Sequence, residues 1–411
     1  MNNLSLVLGA IALMSTSSCL YAQTQVNDEA SLNAAIAAAN ADSSIRTIVF
    51  EKDADITLTA PVIYNGSQKI QLIGNGAIID GAAAGSFVLD DDLTAVTKDG
   101  TLIFNTQADV RINGLTVINS ATRGIVVNIP ETATGDDISI SMQNVNVIDS
   151  ALFGVHIDDN ADEFDDGATG SDIGINLYIN GSVFTGNGTG AIDFDGFRVD
   201  ERAEGNINAL IVNTEIDGNG GDGMELDEGG NGNVKATLIN TSFSANGFYN
   251  EEDLDDGLDI DEAGAGDIIM TMINGKVNDN MDEGLDLDEE NDGDVKLSLI
   301  RVEAFNNADE GIKVDEEDAG DIKARMIMVD VAEGGDDGIQ FTEIGEGDIN
   351  AKLINVTAEN NKKYGIKMEQ WVEEDEEEIV EEAGSLKVRN VVLAGNGKGD
   401  EIKTHNIVVA E

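Results

Sequence analysis

A glycine returns at a fixed interval through the middle of this chain, and that interval limits the fold more than any other feature. The glycine of Asp222-Gly223-Met224-Glu225-Leu226-Asp227 recurs as Gly257, Gly284, Gly311, Gly338 and Gly365, at spacings of 34, 27, 27, 27 and 27 residues. The 34 is one period plus a seven-residue insertion near Phe248 to Leu254, and looser copies stand at Gly124, Gly154 and Ala191. Other columns keep the same step. A Gly-Asp pair follows nine residues later at Gly266-Asp267, Gly293-Asp294, Gly320-Asp321 and Gly347-Asp348. An Asn precedes the glycine by four residues at Asn187, Asn219, Asn280, Asn307 and Asn361, and by ten at Asn213, Asn274 and Asn355. Self-similarity at such a period marks stacked units that bury one continuous core between them.

Within a period the residues alternate. In Leu258-Asp259-Ile260-Asp261 the apolar pair shares one face and the acids the other. Ile268 to Ile273 reads as a second strand and Lys276-Val277-Asn278 as a short third one. No gap is long enough for the crossover helix of a βαβ unit. The pattern therefore predicts an all-β chain that returns to the same place every turn, a parallel β-solenoid. The recurrent Asn suits left-handed turns with stacked side-chain amides, because Asn tolerates positive φ. Ahead of the repeats, Asn27-Asp28-Glu29 and the Ala-rich run Ala30 to Asn40 predict a short amphipathic helix, followed by strands at Thr47–Phe50, Ile56–Leu58, Ile70–Ile73 and Ala77–Gly81.

These features together resemble the right-handed parallel β-helix proteins of the pectin-lyase-like class. The likeness spans roughly residues 27–411: the N-terminal cap helix, Leu72-Ile73-Gly74-Asn75-Gly76-Ala77-Ile78-Ile79-Asp80-Gly81, the Asn-marked turns and the coil length. It implies a single β-helix domain, residues 23–411, with right-handed coils of about 27 residues. That fold hosts lyases, hydrolases, adhesins and passive modules, so function must be argued from residues.

The first segment reads as an address. An apolar run from Leu4 to Met14, small polar residues and Tyr21-Ala22-Gln23 predict a secretory signal over residues 1–22. The only cysteine, Cys19, falls inside it. Thr16-Ser17-Ser18 before it lacks the leucine of a lipobox, so free secretion or a periplasmic or cell-surface place is expected over a lipoprotein. A chain cleaved there has no cysteine for a disulfide or thiolate metal site. No later segment is apolar enough to span a membrane.

Charge enters at this point. Asp and Glu number 80 against 23 Lys and Arg, a formal charge of −57. A nucleic-acid binder or a protein docked on anionic lipid needs the opposite balance. From Asp158 to Asp348 there are 51 acidic and 9 basic residues, a net of −42, so the excess concentrates in coils spanning about 155–370. Disorder is excluded because 41% of the residues are hydrophobic and regularly placed.

The acids flank the repeating glycine in register. The candidate metal ligands are Asp255, Asp256, Asp259 and Asp261 in one coil, Asp282, Glu283, Asp286 and Asp288 in the next, then Asp309, Glu310 and Asp315, then Asp336 and Asp337. Ile192-Asp193-Phe194-Asp195 and Asp222 to Asp227 are earlier acidic strings. Coils roughly 4.8 Å apart stack these acids into columns. Two like charges about 5 Å apart repel by roughly 1 kcal/mol in water and several at an effective dielectric near 20. High salt, raised pKa values or bound cations would relieve this. Calcium is the cofactor expected, since it takes 6–8 oxygens at about 2.3–2.6 Å. Softer metals find only His156 and His405. Asp255-Asp256-Gly257-Leu258-Asp259 is also similar to the calcium-binding turn of some β-helix pectate lyases. A repeats-in-toxin nonapeptide is excluded, because Gly220 to Glu225 is a near match without a nine-residue repeat.

The expected function is thus an exported acidic β-helix binding divalent cations, with acidic polysaccharide or matrix as the partner they bridge to. One alternative is a calcium-dependent lyase of uronate polysaccharides. It needs a cationic base, for which Lys313 is the best placed, with Arg198 and Arg202, in the loop expected after Asp195, gripping a uronate carboxylate. The competing reading pairs Lys313 with the acids around it, and Arg198 and Arg202 with Asp200, Glu201 and Glu204. A hydrolase is disfavoured, because the Gly-His-Gly and Arg-Ile-Lys strings of polygalacturonases are absent and aromatic residues, at 4%, leave few sugar-stacking platforms. Trp371 is the sole tryptophan, and Glu373 to Glu378 beside it reads as a solvated insertion. A second alternative is a passive adhesin or structural solenoid.

Overall fold

The computed structural model describes residues 24–410, apart from 91–92, 96, 98, 161–168, 251–253 and 373–382. The N-terminal segment expected to be a secretory signal, with Cys19, and the acidic run after Val372 lie outside the described residues.

The chain is a right-handed parallel β-helix. Each coil of the central repeat places a strand in a 12-stranded sheet directly after the repeating glycine, as Leu258–Glu262 does, and the coils from Gly257 to Gly338 turn at the Gly-Asp pair. It then places a second strand, such as Ile268–Ile273, in a 17-stranded sheet. Third strands such as Glu303–Phe305 form a narrow four-stranded sheet in the later coils. Pairing from coil to coil is parallel. Alternation explains the core: Leu258, Ile260, Ile268, Met270 and Met272 are fully buried, in one cluster that runs from Val26 to Leu386. The helix Glu29–Ala41 caps the first coil, its start fixed by Asp28, which accepts from the Ser31 amide at 2.8 Å.

Several expectations shift. The segments Ile70–Ile73 and Ala77–Gly81 are one strand, Ile70–Asp80, with an irregularity between Ile73 and Ala77. The third strand at Lys276–Asn278 shrinks to single bridges from Lys276 to Ser242 and Glu303. Ala191 is not a copy of the repeating glycine. Phe197 pairs with both Val155 and Met224, which gives that place to Gly196. A five-residue detour after Asn187 displaced the sequence match, and its Phe194 packs with Phe153 in a small side cluster.

The two Asn columns serve different ends. The column ten residues before the glycine is left-handed, with φ of 50° at Asn213, 55° at Asn274 and 53° at Asn355. The column four before it is not left-handed. It is a buried amide ladder, in which Asn187, Asn219, Asn246 and Asn280 each donate to the next at 3.0–3.2 Å, the run ending at Asn307. Asn246 belongs to this ladder, although the insertion after it had hidden its register.

Candidate cation-binding face

The strand register puts the second and fourth residues after each glycine on the outside. The first of these columns reads Arg198, Glu225, Asp259, Asp286, then Lys313, Gln340 and Lys367. The second reads Asp200, Asp227, Asp261, Asp288, Asp315, Thr342 and Glu369. The acids are therefore stacked carboxylates, bounded at one end of the first column by Arg198 and at the other by Lys313.

A third row, the residue before each glycine, holds Asp195, Asp222, Asp256, Glu283, Glu310 and Asp337, all buried. Here the acid has a local reason to exist. Asp256 Oδ1 accepts from the Glu283 amide at 2.7 Å, Asp195 Oδ1 from the Asp222 amide at 2.9 Å, and Asp337 Oδ1 from the Tyr364 amide at 2.6 Å. Each of these carboxylates spends one oxygen tying its coil to the next.

Together the rows line a cleft of about 350 Å³ between Arg198 and Lys313, walled by Glu225, Asp256, Asp259 and Asp286. Oxygens of Asp256, Asp259 and Asp286 lie within 4.8 Å of one another, as do those of Asp256, Asp282 and Glu283, and of Glu225, Asp259 and Asp261. A separate group joins Asp309, Glu310 and Asp336, and Asp193, Asp195 and Glu225 form another. Asp259 Oδ1 and Asp286 Oδ1 are shielded from solvent and accept no hydrogen bond. Of the thirteen acids expected as ligands, Asp255, Asp288, Asp315 and Asp337 fall in none of these groups. Asp255 lines the cleft, and Asp288 and Asp315 each lie 3.7 Å from Lys313. Glu225, Asp193 and Asp195 stand in the groups but not among those thirteen. They sit ahead of the four tight repeats: Asp193 and Asp195 belong to the detour before Gly196, and Glu225 is in register with Asp259.

The electrostatics are severe. Burial first, then neighbouring carboxylates, push Asp222, Asp256 and Asp259 well above the usual carboxylate range. Burial raises Glu283 and Asp286 to about 7, and Asp261, Asp288 and Glu310 to about 8, by the same mechanism. Lys313 Nζ lies 2.7 Å from Asp286 Oδ2 and 3.5 Å from Glu283 Oε1. Burial by itself would lower its pKa, but Asp286 and Asp288 outweigh that and hold the ammonium well above the ordinary lysine range. A cation held so firmly is a poor general base. Arg198 is likewise enclosed by Asp200 at 2.9 Å, Glu225 and Asp227, and Arg202 forks onto Asp227. Glu201 and Glu204, expected as partners of these arginines, point elsewhere: Glu204 accepts from Asn231 at 2.9 Å, and Glu201 from the Gly205 amide at 3.1 Å.

Two features were not anticipated from the sequence. His156 is fully buried between Arg123 at 2.9 Å and Asp200 at 2.7 Å, and burial lowers its pKa to about 4. The other is an inward column five residues after each glycine: Glu201, Glu228, Glu262, Glu289, Glu316 and Glu343, ending at Gln370. All seven are at most 1% exposed. Burial raises Glu201 to about 7, Glu343 to about 8, Glu316 to about 9 and Glu228 to about 10. Its signal was legible, since a Glu stands at that offset in six successive coils, but the surrounding acidity masked it.

No protein-family profile and no curated protein matches the sequence. Among solved structures, the periplasmic alginate epimerase AlgG is similar at 12% identity, covering 89% of this chain and 77% of that one, with a TM-score of 0.39. The A-module of the Azotobacter vinelandii mannuronan C-5 epimerase AlgE4 is 14% identical, with 95% of each chain covered and a TM-score of 0.35. PfbA, a surface adhesin of Streptococcus pneumoniae, is 9% identical, covering 89% and 86%, with a TM-score of 0.31. Likeness this distant says nothing of what this chain binds or does.

Proposed function

We propose that the protein is exported and that its outer acidic face binds divalent cations, calcium above all, which hold the coils together and bridge them to acidic polysaccharide. The observation that carries this reading is the group Asp256, Asp259 and Asp286. Three carboxylates from two coils bring oxygens within 4.8 Å of one another, and Asp259 and Asp286 each carry a shielded Oδ1 that accepts no hydrogen bond. Oxygens about 2.3–2.6 Å from one ion span that separation, and calcium accepts irregular geometry and completes its shell with water. Burying such charges unpaired costs several kcal/mol, which an ion offsets. Asp256, Asp259 and Asp286 would be its ligands, with Glu225 and Asp261 forming a neighbouring position around the shared Asp259.

The lyase alternative asks Lys313 to shed a proton that the acids around it hold in place, so the binding role is favoured. Isothermal titration of chelator-stripped protein with calcium chloride tests the proposal. Saturable binding should occur, and Asp259→Asn with Asp286→Asn should remove part of the stoichiometry. Heats indistinguishable from dilution would refute it.

A further inference from the structure

The outside of the 17-stranded sheet reverses the charge of the chain. In its later coils this sheet is built from Val295–Ile300, Ile322–Ile327, Ile349–Ile354 and Gly384–Arg389. These four strands hold six basic residues, Lys296, Lys323, Arg325, Lys352, Lys387 and Arg389, and no acid. Elsewhere acids dominate, with Asp and Glu outnumbering Lys and Arg by 80 to 23 over the whole chain. Alternation turns the basic residues outward, because Ile322, Ala324 and Met326, and then Ile349, Ala351 and Leu353, fill the core from the same strands.

Register stacks three of them. Arg325 pairs with Lys352, and Lys352 with Lys387, so these cations stand on successive coils about 4.8 Å apart. Arg389 lies two residues beyond Lys387 on the same face. Asn350 and Ser385 stand two residues before Lys352 and Lys387, and the Ser385 hydroxyl donates to Asn350 Oδ1 at 2.8 Å.

What sets this column apart is the lack of a counter-ion. Lys296 pairs with Asp267 and Asp294 at 2.6 and 2.9 Å, Lys323 with Asp294 and Asp321 at 2.9 and 2.8 Å, and Lys313 with Asp286 at 2.7 Å. Among the described residues none forms an ion pair with Arg325, Lys352, Lys387 or Arg389. Like charges stacked at coil spacing repel one another. A chain so rich in acids leaves these cations without one, which suits them to an anion from outside.

We propose that Arg325, Lys352, Lys387 and Arg389 form a binding strip for an acidic polysaccharide, held by its carboxylates directly and without a metal ion. A column of cations at one-coil spacing fits a linear polymer that repeats an acid along its length. Arg325 and Arg389 can each take a carboxylate through two N–H groups, and Asn350 and Ser385 add polar groups for sugar hydroxyls. The ligand class rests on the proposed function, but the strip lies on a different sheet from the carboxylate cleft. Near physiological ionic strength charges are screened beyond about 8 Å, so the distant acids do not cancel its attraction.

Fluorescence anisotropy of an end-labelled oligogalacturonate, titrated with the full chain in EDTA, tests this. Saturable binding is expected, weakening as salt is raised. Arg325→Gln with Lys352→Gln and Lys387→Gln should weaken it by about tenfold or more, while these exposed positions leave the urea midpoint close to that of the unaltered protein. Lys52→Gln with Lys69→Gln and Arg111→Gln removes the same charge from the first coils and should leave affinity unchanged. No binding in EDTA would overturn the strip, and calcium titration of the outer carboxylates would still stand or fall by itself. Equal loss in both triple variants would overturn it too, by reducing the effect to net charge. Sedimentation of the chain alone is the last arm: self-association that the first triple variant abolishes would assign the strip to the acidic face of a second copy and overturn the polysaccharide.

Discussion

Lys313 sits where the account is most exposed to test. Its ammonium pairs with Asp286 Oδ2 and approaches Glu283, and so sits against the group Asp256, Asp259 and Asp286 that would hold the cation. Lys313→Met should lower stability in chelator and tighten calcium binding by about tenfold, the ~1.4 kcal/mol a nearby unit charge is worth at a partly screened site. Unaltered affinity in a titration would remove the outer cleft from the binding site. His156 offers a second residue-level test. Its folded pKa of about 4 lies below the unfolded value of 6.5, so between those values the unfolded chain binds the extra proton. The stability from the neutral ring is therefore present above about pH 6.5 and lost as pH falls toward 4. Denaturant midpoints across that window should show a slope that His156→Gln flattens, by up to about 1.4 kcal/mol per pH unit. At this scale the sequence spoke clearly where an acid faces outward. It was silent on why Asp256 and Asp337 are acids at all, because accepting a backbone amide from the next coil leaves no mark in composition.

The element that repeats is a coil, and its cohesion is polar as well as apolar. Asn219 accepts from Asn187 at 3.1 Å, and donates to Asn246 at 3.0 Å and to the Phe184 carbonyl at 3.3 Å, all without solvent. Asn219→Ala should cost about 2–4 kcal/mol, because it strands buried groups on both neighbouring coils. A loss below about 0.5 kcal/mol in urea unfolding would show that the ladder is not structural. Strands were legible at this scale because buried and outward residues alternate, as in Ile268–Ile273. Register was legible only where coils are equal in length. The detour before Gly196 moved the apparent repeat to Ala191, and the insertion near Phe248 hid Asn246. Indels keep spatial register while destroying sequence register.

For the whole molecule, the solenoid is a long apolar core flanked by two kinds of carboxylate column, one outward and one inward. The repeat and its alternation were enough to read the architecture. They were not enough to separate inward from outward acids, since Asp288 and Glu289 are neighbours in sequence and lie on opposite faces. Calorimetry on chelator-stripped protein in low salt, with and without millimolar calcium and against a sodium control, is the most direct test of the central claim. Two or more sites filled about 100-fold above their dissociation constants should each add about 2.7 kcal/mol and raise the unfolding midpoint by roughly 5 °C or more. A midpoint that calcium leaves where sodium leaves it would contradict the account.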